Sequence, residues 1–252
     1  MSDPTTNPAV TYGSYLRIDD LLSLQEPRST GPEHDELLFI VIHQVYELWF
    51  KELLHEFDRV RHLLEDDEPH RAQHTLKRIL TILKVMVAQL DILETMTPLE
   101  FFSFRQRLEA ASGFQSDQFR QIEFVLGVKS EQAIQRFAEG SRARVALERR
   151  YHEPTLWDGF LRYLSREGYD VSSNVQPVLV DVYRKDMKNA ELCERLVDLD
   201  EGVQEWRYRH AKMVERTIGA KPGTGGSSGA AYLRETVGRP IFPDLWAIRS
   251  QL

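Results

Sequence analysis

Apolar residues recur at three- and four-residue steps along most of this 252-residue chain, which is the spacing of helix faces. Phe39, His43, Tyr46, Phe50, Leu53 and Phe57 share one face of a helix predicted over residues 33–65, ending in the acidic turn 65–69. Leu38, Val41, Ile42, Val45, Leu48 and Trp49 cover much of the remaining circumference, so this helix is expected in the interior. A second helix, over 70–95, buries Leu76, Ile79, Leu80, Leu83, Val87, Leu90 and Leu93. Thr97 is placed as an N-cap and Pro98 in the first turn of a third, which carries Phe101, Phe102, Phe104, Arg105 and Leu108. Ser112-Gly113 breaks it, and another helix passes through Phe119, Ile122 and Leu126 to Gly127.

Further along, 142–150 and 155–166 read as helices, 168–174 as a loop, and 175–182 as ambiguous between strand and helix. From Lys188 a long seam follows: Leu192, Leu196, Leu199, Val203, Trp206, His210, Met213 and Thr217, stopped by Gly219. The expectation is an all-α, single-domain helical bundle over residues 11–252, preceded by a disordered tail at 1–10. Such long seams exceed what one small subunit covers, so association into an oligomer is predicted.

Composition narrows the function classes. The 32 basic and 39 acidic residues give a net charge of −7, which argues against a nucleic-acid partner. The single cysteine, Cys193, excludes an intrachain disulfide and fits a cytoplasmic location. No apolar run approaches the roughly 18 residues of a membrane span, and the polar N-terminus does not read as a leader.

Two histidines interrupt apolar stripes, His43 and His210. A histidine on such a face is ordinarily a core residue bonded to a carbonyl or a water. The functional reading is a haem ligand, because neutral imidazole is a common proximal ligand and flat aromatic neighbours such as Trp206 suit a flat cofactor. His43, with Phe39 one turn before it, is read as a partner for the polar edge of an apolar ligand or as a second axial ligand. Arg105 is either a surface residue or a carboxylate clamp. The glycine-rich segment 223–229 is either a connector or a lid whose Thr224 and amides meet a polar group; no lysine follows its last glycine, so it is not a Walker loop. His70 with His74 has zinc spacing on a charged face. Glu52 with His55 has di-iron spacing but lacks a second copy.

The blocks 34–44 with Glu47-Leu48-Trp49, 112–116, 206–210 and 223–229 occur in the order found in one family, and from Thr11 to Leu245 the chain resembles tryptophan 2,3-dioxygenases. The resemblance implies haem b with His210 as its single axial ligand and Trp206, Phe101, Ser112 and Gly113 beside it. It implies His43 as the catalytic distal residue contacting the indole N–H, Phe39 as a wall of the indole pocket, Arg105 on the substrate carboxylate and Thr224 on the amino-acid end. Tyr12 and Tyr15 would complete a neighbouring subunit's pocket in a homotetramer. The implied substrates are L-tryptophan and O₂, and the product N-formylkynurenine. Three departures are visible: Phe101 stands where some members carry tyrosine, Ala211 where methionine is common, and the stretch 163–191 is shorter than usual. The phenylalanine is a tolerated variant; the shortened stretch leaves open an alternative, a monooxygenase that converts a tryptophan analogue such as β-methyl-tryptophan to a 2-oxindole.

Overall fold

The computed structural model describes residues 9–31, 33–226 and 228–252. The tail expected at 1–10 lies outside these up to residue 8, and so does Ser227 of the glycine-rich segment. The described residues form thirteen α-helices and no strand. They are α1 (Tyr12–Leu16), α2 (Ile18–Leu22), α3 (His34–Glu65), α4 (Pro69–Leu93), α5 (Pro98–Phe104), α6 (Asp117–Val125), α7 (Glu131–Gln135), α8 (Arg142–His152), α9 (Leu156–Arg166), α10 (Gln176–Lys185), α11 (Met187–Ile218), α12 (Ala230–Thr236) and α13 (Pro243–Ala247).

Three long helices make the frame. A tight turn in which Asp67 takes a positive φ of 56° reverses the chain between α3 and α4, and Pro69 opens the new helix without losing a needed donor. α4 packs against α3 on one side and α11 on the other. Leu53, Phe57, Val60, Leu76, Ile79, Leu192, Leu196 and Leu199 fill the seam and are almost fully buried. At ~1.5 Å per residue the 32-residue α3 and α11 are each roughly 48 Å long, so both carry a packed half and a half free to line a site. Arg209 reaches from α11 to Asp91 of α4, and the Tyr46 hydroxyl of α3 donates to the Met86 carbonyl of α4. The start of α3 and the C-terminal ends of α4 and α11 therefore converge at one end of the bundle.

Local chemistry sets the boundaries. Thr97 and Glu100 form a reciprocal capping box at the start of α5. Gly219, at φ 60°, ends α11 in a conformation that side chains avoid. Residues 105–108, expected to continue α5, tighten into a 3-10 turn instead. The ambiguous stretch resolves as α10: Val175, Leu179 and Val182 are buried at three- and four-residue spacing, so packing decides against the strand that the valines favour. Asp200 of α11, fully buried, accepts from the amides of Ile241 and Phe242 and from Trp246 Nε1, while its other oxygen accepts from Gln204. This clamps the C-terminal segment onto α11.

α3 is not interior on all sides. Leu37, Val41 and Leu48 are exposed on it, as are Val85 and Ile92 on α4. A shallow groove runs between the two helices, lined by Val45, Leu48, Trp49 and Ile82. No residue of α1 or α2 is buried.

Candidate active site

The converging ends enclose a cavity of about 580 Å³, within the usual ligand-pocket range of ~300–1,000 Å³. α3 contributes Phe39, His43, Tyr46, Glu47 and Phe50, and α11 contributes Trp206, Arg207, His210, Met213 and Thr217. Phe101, Arg105, Ser112, Gly113, Phe119, Arg120, Thr224 and Tyr232 come from the segments that close over them. Nine of the eleven residues implied by the resemblance thus face a single space. Tyr12 and Tyr15 do not; both are 77% exposed on α1.

His210 lies with its ring parallel to the indole of Trp206, centroids 5.2 Å apart and planes 8° from coplanar. Among the described residues neither of its ring nitrogens has a hydrogen-bond partner. Burial, and secondarily the charge of His43, push its pKa down to about 4, so near neutral pH it offers an uncharged imidazole, the form that binds metals.

His43 stacks at a tilt on Phe39, centroids 4.1 Å apart, and its Nδ1 lies 2.7 Å from the Phe39 carbonyl oxygen. A carbonyl only accepts, so Nδ1 carries the proton and Nε2 of the neutral ring is an acceptor. Its surface is open to the cavity, but the walls remove it from bulk water. That desolvation lowers its pKa, against opposing effects of the Phe39 carbonyl and Glu47. Phe39, Phe101 and Phe104 form an edge-and-tilt cluster with centroids 5.5–5.9 Å apart, which gives this wall a flat apolar surface.

The mouth is closed by the segment after α11. One Arg105 nitrogen donates to the Pro222 carbonyl at 2.6 Å, and the Thr224 hydroxyl donates to the Ala111 carbonyl at 2.6 Å. Gly225 packs so tightly on the 112–115 turn that a Cβ there would stand 2.6 Å from Ser112 Cβ. Ser112 itself caps that turn, accepting from the Phe114 amide.

Sequence reasoning passed over two arginines. Arg120 and Arg207 are each 8% exposed and face the cavity. Arg120 pairs with Glu123 and lies over the rings of Phe114 and Phe119, yet its Nε has no partner. Arg207 donates to the Arg239 carbonyl, and burial lowers its pKa. The available signal was Arg120 sitting between Phe119 and Ile122 on a short helix, where an arginine is normally read as solvated.

The donor set suits a porphyrin. A space walled by aromatic rings, an unpartnered neutral imidazole on one side, and a buried guanidinium with a free N–H match a flat apolar ring bearing a metal and an anionic edge. Among the described residues no group of three or more His, Cys, Asp or Glu side chains could hold a bare metal ion. His70 and His74 are exposed on α4, and neither they nor Glu52 and His55 line the cavity. No helix of the described residues is long and apolar enough to cross a membrane.

Comparison with known proteins agrees with the geometry. A family model described as tryptophan 2,3-dioxygenase matches residues 3–153 and 144–252. A protein named tryptophan 2,3-dioxygenase from Herpetosiphon aurantiacus is 60% identical over 259 residues, covering 97% of this chain and 99% of that one. One of the same name from Anaeromyxobacter sp. (strain K) is 55% identical over 267 residues and covers all of both chains, and one from Myxococcus xanthus is 43% identical, covering 96% and 89%. With its cavity built from the same blocks that carry the likeness, and with matches along its whole length, the chain belongs to the tryptophan 2,3-dioxygenase family.

Proposed function

We propose that the chain is a haem-dependent oxygenase that adds both atoms of O₂ across the indole C2–C3 bond of L-tryptophan, giving N-formylkynurenine. The observation that carries this reading is the convergence of His43, Arg105, Thr224 and His210 on one aromatic-walled cavity. His210 would hold the iron, with Trp206 fixing the plane of the imidazole, and Arg120 would serve the anionic part of the group. Haem b bound there supplies O₂ activation, chemistry that no side chain of the site can provide.

The protein's own work is binding, orientation and water exclusion. Arg105 spends one of its five N–H groups on Pro222 and keeps donors for a carboxylate. Thr224 donates its only hydrogen to Ala111, so its oxygen remains an acceptor for the substrate ammonium. The indole lies against Phe39, with its N–H donating to His43 Nε2. A neutral His43 positions the ring and does not need to remove the weakly acidic indole proton. Fixing both ends of the substrate sets the C2–C3 bond for attack, and residues 219–226 exclude water.

The exposed stripes on α3 and α4 and the unburied α1 support a homotetramer in which Tyr12 and Tyr15 complete a neighbour's cavity. The reading is tested by reducing the haem-loaded protein without oxygen, adding L-tryptophan and then labelled O₂, and weighing the product. Two labelled atoms and an opened ring are expected. One atom with the indole framework intact, and preference for a β-methylated substrate, would replace it with the 2-oxindole monooxygenase.

A further inference from the structure

Two cations share one aromatic ring beside the cavity: Arg105 lines the cavity, and Phe102 and Lys221 stand just outside its lining. Lys221 Nζ stands 3.7 Å from the centroid of Phe102, and the Arg105 guanidinium carbon stands 5.6 Å from the same centroid. Their separation cannot exceed the sum of these distances. A ring face attracts each cation, but the cations repel one another. Among the described residues no carboxylate lies within ion-pair distance of either, although the chain is acidic overall. Two positive charges gathered on one ring next to a pocket, without a paired carboxylate among the described residues, favour an anion near Arg105.

Lys221 is also held where it is. Its amide donates to the Ile218 carbonyl at 3.1 Å, just past the turn at Gly219. The other end of the segment folds back onto it, so closely that a Cβ on Gly229 would stand 2.7 Å from the Lys221 carbonyl oxygen. The next residue, Pro222, takes the hydrogen bond from Arg105. The lysine charge is thus tied, through backbone and ring, to the guanidinium assigned to the substrate carboxylate.

We infer that Lys221 is a specificity-determining residue: a second cation, carried on the closing segment, that selects ligands bearing a free carboxylate beside Arg105. This rests on the assignment of Arg105 under the proposed function. The substrate class it favours is the free α-amino acid over its ester, amide or decarboxylated amine.

The test compares the haem-loaded wild type with Lys221→Met, Lys221→Arg and Arg105→Leu, titrating L-tryptophan and L-tryptophan methyl ester by the change in haem absorbance. Lys221→Met is expected to weaken L-tryptophan binding about three- to tenfold at low salt, as one unscreened charge at this range would. The loss should shrink in ~0.15 M salt, where the Debye length is about 8 Å. Ester binding should stay within about twofold of wild type, and Lys221→Arg should restore the amino acid. Unchanged L-tryptophan binding in Lys221→Met, an equal loss for the ester, or a loss indifferent to salt would each overturn the inference. If Arg105→Leu weakens L-tryptophan while Lys221→Met does not, the lysine assignment alone falls. If neither weakens it, the carboxylate site itself is misplaced.

Discussion

The imidazole of His210 lies parallel to the indole of Trp206, one helical turn before it on α11, with 5.2 Å between centroids. The stack fixes the plane in which the imidazole presents its nitrogen, and it joins His210 to the buried core through Phe119 and Tyr46. Trp206→Ala should cost about 3–5 kcal/mol of stability, the usual loss for a buried tryptophan, and should weaken haem retention. Trp206→Phe keeps an aromatic face and should hold haem. Urea unfolding with haem titration checks both; tight haem binding by a folded Trp206→Ala protein would remove the stack from the site.

His43 gives the pH dependence. Its neutral form accepts through Nε2, and protonation turns that nitrogen into a donor that cannot meet an indole N–H. Because burial lowers the pKa, the neutral form persists below the ordinary histidine value of about 6.5. The acid limb of the kcat/KM profile should therefore have its midpoint below pH 6.5. His43→Ala should keep its haem and lose most turnover. A midpoint at or above pH 6.5 would contradict the neutral, desolvated acceptor.

On the proposed reading, Arg105→Leu removes the charged partner of the substrate carboxylate. Hydrogen bonds to charged groups contribute about 1.5–3 kcal/mol, so L-tryptophan should bind roughly ten- to a hundredfold more weakly, with haem content unaltered. Equilibrium titration checks this; wild-type affinity would place the carboxylate elsewhere.

Much of this was legible in the chain itself. The seam from Leu192 to Thr217 foretold α11 and put His210 on its buried line, and Thr97-Pro98 marked the start of α5, because capping and helical periodicity are local signals. The stretch 175–182 was not legible, since valine favours strands and only the packing of Leu179 and Val182 decides for a helix. Arg120 and Arg207 were missed for a related reason: their burial depends on helices far away in sequence. The stop of α5 at Phe104 depends on a 3-10 turn that no spacing announces.

The contact between Gly225 and Ser112 makes the closing segment testable. Gly225→Ala would force a methyl to within 2.6 Å of Ser112 Cβ, so the segment must lift. Activity should fall several-fold with little change in thermal stability. Ser112→Gly removes the obstructing atoms at a capping cost of only a few tenths of a kcal/mol, and the double variant should recover activity. A fully active Gly225→Ala protein would mean that closure does not need this contact.

The most direct measurement is the haem content of the full chain beside its His210→Ala variant, read from the Soret band and by haem extraction. One haem per chain is expected in the wild type, near-complete loss in the variant, and partial recovery on adding imidazole. Equal haem content and an unaltered Soret band in His210→Ala would show that the iron is held elsewhere.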